Sequence, residues 1–148
     1  MDGFVTNQRE AMCQKKYKVG LIGLGPIVIR KHPWEDMPAP KGQAPLLLPH
    51  QSSSNVPVGE VVKSHAWAID RIPELDIAAV CDLNPGRIDR WNENWGDRWP
   101  EAQLYSDYGE MLSHESLDVV VVGTSEFLHA DPTIKAAESG VRGILCEK

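Results

Sequence analysis

The sequence predicts an α/β fold: a doubly wound, mostly parallel sheet with helices on both faces and a long inserted loop after the first strand. Short segments rich in Val and Ile are apolar throughout, as in strands that are covered on both sides. Helix start and stop signals separate these segments, and one proline-rich stretch fits neither element. The predicted strands are residues 17–23, 76–81, 103–105, 117–123 and 141–146.

Residues that start or stop helices predict the helices that connect these strands. A small polar residue precedes each apolar helical pattern and can cap its first turn. A proline or glycine follows three of the patterns and ends them. The four predicted helices run from Ser64 to Ile72, from Asn84 to Gly96, from Asp107 to Leu112, and from Asp131–Pro132 to Gly140, where the first residue of each pair marks the start and the second marks the end.

Aromatic and thiol side chains are expected to be structural. Trp91 and Trp95 are four positions apart, on one face of a helix, which predicts packing against the sheet rather than a stacking platform for a sugar or base; Trp99 follows them. Cys81 and Cys146 end strands that are not neighbours in the usual strand order, and both are expected to be buried thiols.

One stretch interrupts the regular pattern. Residues 26–63 hold seven of the eleven prolines and a serine triplet, with no sustained helical or strand period. This composition predicts a disordered insertion; the alternatives are an active-site lid and a sequence that does not belong in the working protein. Residues 1–16 are expected to be a flexible N-terminal segment. A single domain is therefore predicted over residues 17–148, interrupted at 26–63.

Composition excludes several classes of protein. The 148 residues (16.4 kDa) suit one domain, and 42% hydrophobic residues with a mean hydropathy of −0.31 are typical of a globular chain without a membrane span. A net charge of −6 disfavours nucleic acid and anionic lipid as partners. Three cysteines without a CxxC pair predict neither a metal site nor disulfides, and favour a cytoplasmic location.

The first strand runs directly into Gly23-Leu24-Gly25. In a Rossmann-like dinucleotide fold the first glycine permits a tight turn and the second lets the backbone approach a pyrophosphate. Val28 stands where a third glycine is usual, and Pro26 has no amide to donate. Two sources of phosphate-binding amides stay open, residues 27–30 and residues 60–64.

Asp82 ends the second strand, where a carboxylate can accept both ribose hydroxyls of an adenosine and repel a 2′-phosphate. Gly25 and Asp82 are 57 positions apart, and 19 once the 38 residues of 26–63 are left out, close to the usual spacing of about 20. This favours NAD as cofactor. The alternative is that Asp82 only organises the following turn, and Arg87 nearby can meet a 2′-phosphate.

Several segments carry a resemblance beyond single motifs: KVGLIGLG, SHAWAIDRIPELDIAAVCD, LYSDYGEML, LDVVVVGTSEFLHA and AAESGVRGILCEK. Together they resemble the N-terminal nucleotide-binding domain of the Gfo/Idh/MocA oxidoreductases, the glucose-fructose oxidoreductase and inositol dehydrogenase group. The resemblance implies NAD as cofactor, with NADP not excluded. It also implies hydride transfer between nicotinamide and a secondary alcohol carbon of a sugar, inositol or related polyol.

The ending Glu147-Lys148 resembles the family's Glu-Lys-Pro signature, which implies that Lys148 is catalytic and reaches the nicotinamide and the substrate oxygen. An ammonium there can stabilise developing negative charge. A last residue is rarely held in place, however, and the end at Lys148 is expected to cut through the motif. The family also has a histidine after the glycine loop, for which His65 is favoured over His32.

Thr124 and Ser125, followed by Glu126, occupy the place of the family's Thr-Pro-Asn, and His129 matches the histidine after it. By resemblance, Thr124 lines the pyrophosphate and the nicotinamide ribose. Glu126 departs from the pattern and is expected either to point away from the diphosphate or to cap the next helix. The full set of expected cofactor-binding residues is Gly23, Gly25, Asp82, Thr124, Ser125, His129 and Glu147.

The resemblance also implies what this chain lacks. A second domain with an open antiparallel sheet would supply the substrate pocket and most of the homo-oligomer interface. The chain alone is therefore expected to bind nucleotide without full turnover. Two other functions stay open: a noncatalytic dinucleotide-sensing or scaffold domain, and a cofactor-free remnant with an altered glycine loop.

Overall fold

A parallel sheet organises the molecule. The structure, a computed structural model, describes residues 16–31 and 63–148. The strands are β1 (Tyr17–Ile22), β2 (Leu75–Cys81), β3 (Gln103–Tyr105), β4 (Val119–Val122) and β5 (Gly143–Cys146). They pair in the order β3-β2-β1-β4-β5, all in parallel. The chain winds one way from β1 to β3 and the other way through β4 and β5, so a switch point lies between β1 and β4.

Helices cover both faces, as predicted. They are α1 (Pro26–Ile29), α2 (His65–Ile69), α3 (Pro85–Trp95), α4 (Tyr108–His114) and α5 (Ala130–Glu138), with a 3₁₀ turn at Glu126–Leu128. One core contains the buried side chains of α1, α2 and α3, and the other those of α4 and α5. The fold is therefore the Rossmann-like, doubly wound sheet that the sequence predicts.

The tryptophans pack inside the molecule. Trp91, Trp95 and Trp99 are all buried, and the ring centroids of Trp91 and Trp99 are 5.8 Å apart in a stacked pair. Trp95 Nε1 donates a hydrogen bond of 2.6 Å to the Ile29 carbonyl. The packing role predicted from the helical spacing is confirmed, and the group joins α3 to the end of α1.

A helix follows the glycine loop directly, which corrects the expectation of a loop from residue 26 onwards. Pro26 suits the first helical position because its φ is already fixed. Val28 and Ile29 are buried and hold the single turn of α1 against the sheet. The four residues give too weak a periodic signal to reveal a helix, and packing decides their conformation.

The chain leaves α1 and returns to α2 at nearly the same place. Ser64 Oγ donates a hydrogen bond of 2.7 Å to the Arg30 carbonyl, and the same oxygen caps α2 by accepting from Trp67 N–H. Residues 1–15 and 32–62, including His32, lie outside the described residues. The flexible N-terminus and the disordered insertion therefore stay predictions.

Three local expectations are wrong. The α2 helix ends at Ile69 rather than Ile72, because bonds such as Ile72 N–H to the Ile69 carbonyl tighten the chain before Pro73. The α5 helix begins at Ala130 rather than at Asp131–Pro132, since the preceding residue already has helical angles. Cys146 is exposed because β5 is an edge strand of the described sheet.

Residues 16–31 and 63–148 contain neither a candidate membrane span nor a candidate metal cluster. No helix there is both long and apolar enough to span a lipid bilayer. No group of three or more His, Cys, Asp or Glu side chains comes together there as a metal site.

Candidate functional site

The turn after β1 requires glycine at position 23. Gly23 has a φ of +83°, a conformation that side chains disfavour. A Cβ atom there would lie 2.7 Å from the Thr124 amide nitrogen. The Gly23 N–H donates to the Cys81 carbonyl at 2.8 Å. The loop is therefore wedged between the carboxyl ends of β2 and β4.

Gly25 has open space beside it instead. Its angles, φ −69° and ψ 169°, suit any residue, and a Cβ atom would meet only the Gly123 carbonyl oxygen, at 3.9 Å. Among the described residues, the N–H groups of Gly25 and Ile27 have no hydrogen-bond acceptor. These two amides flank Pro26, and Ile27 belongs to the first of the predicted cradles, residues 27–30. The second, residues 60–64, lies mostly outside the described residues.

Val28 and Gly123 together explain the missing third glycine. In the usual motif that glycine lets the first helix approach the sheet closely. Here the close approach is made from the other side, because a Cβ atom on Gly123 would lie 2.2 Å from Val28 Cγ2. Gly123 is a residue whose role the sequence did not reveal. A glycine that ends a strand neighbouring β1 is the signal that could have found it.

The Asp82 carboxylate is buried and ties the second strand to the glycine loop. Oδ2 accepts a hydrogen bond of 2.7 Å from Leu24 N–H, and Oδ1 accepts one of 2.8 Å from Asn84 N–H. Arg87 Nη1 lies 3.3 Å from Oδ2. The carboxylate therefore does organise the turn after β2, and it also lies against the middle residue of Gly23-Leu24-Gly25.

The residues after β4 also lie at the carboxyl ends of the strands, where the glycine loop is. Thr124 Oγ1 is buried and has no hydrogen-bond partner within residues 16–31 and 63–148. His129 Nε2 lies 2.8 Å from the Thr124 carbonyl oxygen and so supports the loop. Ser125 precedes the 3₁₀ turn without capping it through its side chain, and it is exposed, as is Glu126.

Glu147 connects β5 to α2. Its N–H donates to the Val122 carbonyl at 2.9 Å, and its Oε1 lies 2.7 Å from His65 Nε2. Lys148 is exposed, and its amide is 3.4 Å from Glu147 Oε2. The structure therefore connects the favoured histidine to the predicted Glu-Lys element. It holds Glu147 more firmly than Lys148.

All the residues predicted for the site lie at the carboxyl ends of the strands. Gly23, Asp82 and Thr124 are linked through the glycine loop. Within the described part of the chain, the side chains of Ser125 and Lys148 make no hydrogen bond or ion pair to it. This edge of the sheet has the amide donors of the glycine loop, the Thr124 hydroxyl and the Asp82 carboxylate, and Gly25 has open space beside it. This combination fits a diphosphate and a ribose diol, since the orphaned Thr124 oxygen needs a partner and no Cβ occupies the cradle.

Comparison with known proteins identifies the fold's family. The model of an oxidoreductase family with an NAD-binding Rossmann fold, Gfo/Idh/MocA, matches residues 56–148. The chain belongs to this family. The match begins after the glycine loop and includes the Asp82, Thr124 and Glu147 positions.

Two curated relatives are longer than this chain. An uncharacterized oxidoreductase of Bacillus subtilis, YrbE, is 31% identical over 90 residues, which are 61% of this chain and 25% of that protein. Inositol 2-dehydrogenase of Salmonella typhimurium is 26% identical over 94 residues, 63% of this chain and 27% of that enzyme. The chain thus spans about a quarter of the length of these relatives.

Solved structures show the same fold. WlbA dehydrogenase from Bordetella pertussis, in complex with NADH and UDP-GlcNAcA, matches with a TM-score of 0.56 and 20% identity, over 91% of this chain and 28% of that one. Scyllo-inositol dehydrogenase from Lactobacillus casei, with bound NAD(H) and scyllo-inositol, gives a TM-score of 0.54 and 18% identity, over 90% and 28%.

Proposed function

We propose that this chain is the domain that holds NAD(H) in an oxidoreductase acting on a sugar, inositol or related polyol. The observation that carries the proposal is the glycine loop, where the amides of Gly25 and Ile27 have no acceptor among the described residues and a Cβ atom on Gly25 would meet almost nothing. A pyrophosphate accepts hydrogen bonds from such donors and needs the close backbone approach that glycine permits. Two solved structures of the same fold contain the cofactor: one has NADH bound and is 20% identical to this chain, and the other has NAD(H) bound and is 18% identical.

Asp82 would bind the adenosine ribose. Its carboxylate has two oxygens with about four acceptor positions, and three of them are engaged by Leu24, Asn84 and Arg87. The remaining capacity, together with displacement of the long Arg87 contact, accommodates the ribose hydroxyls. In this arrangement Asp82 both positions the glycine loop and accepts hydrogen bonds from the ribose hydroxyls.

The nicotinamide would lie towards Thr124 and the end of β5. There Lys148 would hydrogen-bond the reacting oxygen and stabilise its developing negative charge. Glu147 would set the direction of the chain at Lys148, since its carboxylate is held by His65. Because the chain spans about a quarter of its curated relatives, we propose that it binds cofactor without full turnover of a polyol.

The test is a titration of the chain with NADH, followed by energy transfer from tryptophan. Gly25→Ala should weaken NADH binding by about tenfold or more, because a methyl group then occupies the cradle. The fold should tolerate it, with the free energy of unfolding changed by less than about 0.5 kcal/mol. Gly143→Ala is the matched control, since its Cβ atom would make only ordinary contact, 3.5 Å from Val119 Cγ2.

Asp82→Ala should also weaken NADH binding. Because it removes the buried acceptor of Leu24 N–H, the free energy of unfolding of this variant must be measured together with its affinity. A saturable signal that Gly25→Ala and Asp82→Ala both leave unchanged would contradict the proposed site. The complete lack of a saturable signal would favour the cofactor-free alternative.

A further inference from the structure

A side-chain contact between His65 and Glu147 joins the start of α2 to the residue after β5, although 82 positions separate the two in the chain. His65 Nε2 lies 2.7 Å from Glu147 Oε1, and the two side chains are 19% and 26% exposed. Water competes less for two partly buried groups than for a pair on the open surface. The contact can therefore fix the direction of the Glu147 carboxylate.

Buried neighbours hold His65 in place at the start of α2. Ser64 and Ala66, on either side of it, are 2% and 0% exposed, and Trp67 is also buried. Ser64 Oγ donates a hydrogen bond of 2.7 Å to the Arg30 carbonyl and accepts one from Trp67 N–H. The imidazole therefore extends from a well-packed turn, and this turn is joined to the end of α1.

Glu147 is held at its backbone as well as at its carboxylate. Its N–H donates to the Val122 carbonyl at 2.9 Å, and its Oε2 lies 3.4 Å from the Lys148 amide nitrogen. Without His65, the carboxylate would be free to rotate towards the Lys148 ammonium and to pair with it. The contact with His65 therefore keeps the carboxylate directed at α2 and leaves that ammonium to a ligand.

The step from Ser64 to His65 thus joins the two ends of the proposed cofactor site. On one side it contacts the end of α1, which follows Gly25, and on the other it contacts Glu147. We infer that His65 is a positioning residue: acting through Glu147, it holds Lys148 at the distance from the glycine loop that separates a pyrophosphate from its nicotinamide. The inference rests on the proposed function and deepens it, because it names the residue that sets the nicotinamide end.

NADH and ADP-ribose together distinguish positioning from folding, because ADP-ribose has the adenosine, the pyrophosphate and the second ribose but no nicotinamide. His65→Ala should weaken NADH binding by about fivefold or more, as expected for the loss of one or two hydrogen bonds. It should weaken ADP-ribose binding by less than about twofold. Calorimetric titration of the chain measures both affinities. The control is His114→Ala, which removes an exposed imidazole from the last turn of α4 and should change neither.

Three further variants test whether His65 acts through Glu147. His65→Gln keeps a hydrogen-bond donor and should bind NADH within about twofold of wild type. Glu147→Ala leaves the buried turn of α2 intact and should cause the same loss that is selective for NADH. In the double variant, His65→Ala should add less than about a further twofold, because the group through which it acts is already absent.

The outcomes separate the two proposals. The positioning role is overturned, while dinucleotide binding stands, if His65→Ala weakens both ligands equally or neither of them. It is also overturned if His65→Gln binds NADH as weakly as His65→Ala, or if the losses of the double variant are additive. If neither ligand binds to the wild-type chain, the proposed function itself is wrong and the positioning role falls with it.

Discussion

Cys81 and Cys146 each end a strand, yet their environments are opposite. Cys81 is buried under the second core, and burial raises its thiol pKa to about 12, with smaller contributions from the nearby charges of Asp107 and Asp82. Cys146 is exposed at the end of β5. A thiol reacts as the thiolate, so a raised pKa makes a cysteine inert.

We therefore expect the two thiols to react at different rates. In a Cys13→Ser background at about pH 8, Cys146 should be alkylated rapidly, whereas Cys81, with roughly one part in ten thousand as thiolate, should react only on unfolding. Mass spectrometry of the alkylated peptides measures this difference. A Cys81 that is labelled as fast as Cys146 in the folded chain would show that the second core does not bury it.

The contact between α1 and β4 is the element-level feature on which the site depends. Val28 fills the space beside Gly123, and this packing fixes where α1 begins and therefore where the amides of Gly25 and Ile27 lie. The sequence predicted the glycine loop but not this contact, because which strand lies beside the first helix is a property of the tertiary fold.

A double-mutant cycle tests this contact. Gly123→Ala should lower the free energy of unfolding by about 1–3 kcal/mol because its methyl group overlaps Val28. Val28→Ala removes the overlapping Cγ2 atom, and the remaining Cβ would be 3.6 Å away. The double variant should then be more stable than the sum of the single changes predicts, by about 1 kcal/mol. Additive changes in the denaturant midpoint would contradict direct packing.

Elements with strong local signals were predictable. Asn84 accepts from Gly86 N–H and caps α3, and Asp107 accepts from Glu110 N–H and caps α4, both as the sequence predicts. The one-turn helix α1 was not predictable, because packing rather than periodicity forms it. The environment of Asp82 was predictable only in part. The sequence placed Asp82 at the end of the second strand, but its hydrogen-bond partner Leu24 depends on how β1 and β2 pair.

At the scale of the whole molecule, the direction of the strands determines where the candidate site lies. All of them are parallel, so their carboxyl ends share one edge, and the switch point between β1 and β4 opens a crevice there. The glycine loop, Asp82 and Thr124 meet in this crevice although 100 positions separate Leu24 from Thr124 in the chain. The opposite edge has its own cleft, which Asp118 and Arg142 line.

Amide NMR of the labelled chain during titration with NAD tests the central claim most directly, because it locates the ligand on one edge or the other. The signals of Leu24, Ile27 and Thr124 should shift in a saturable way, while those of Asp118 and Arg142 at the amino edge stay in place. Shifts confined to the amino edge, or none at saturating NAD, would contradict a dinucleotide site at the carboxyl ends of the strands.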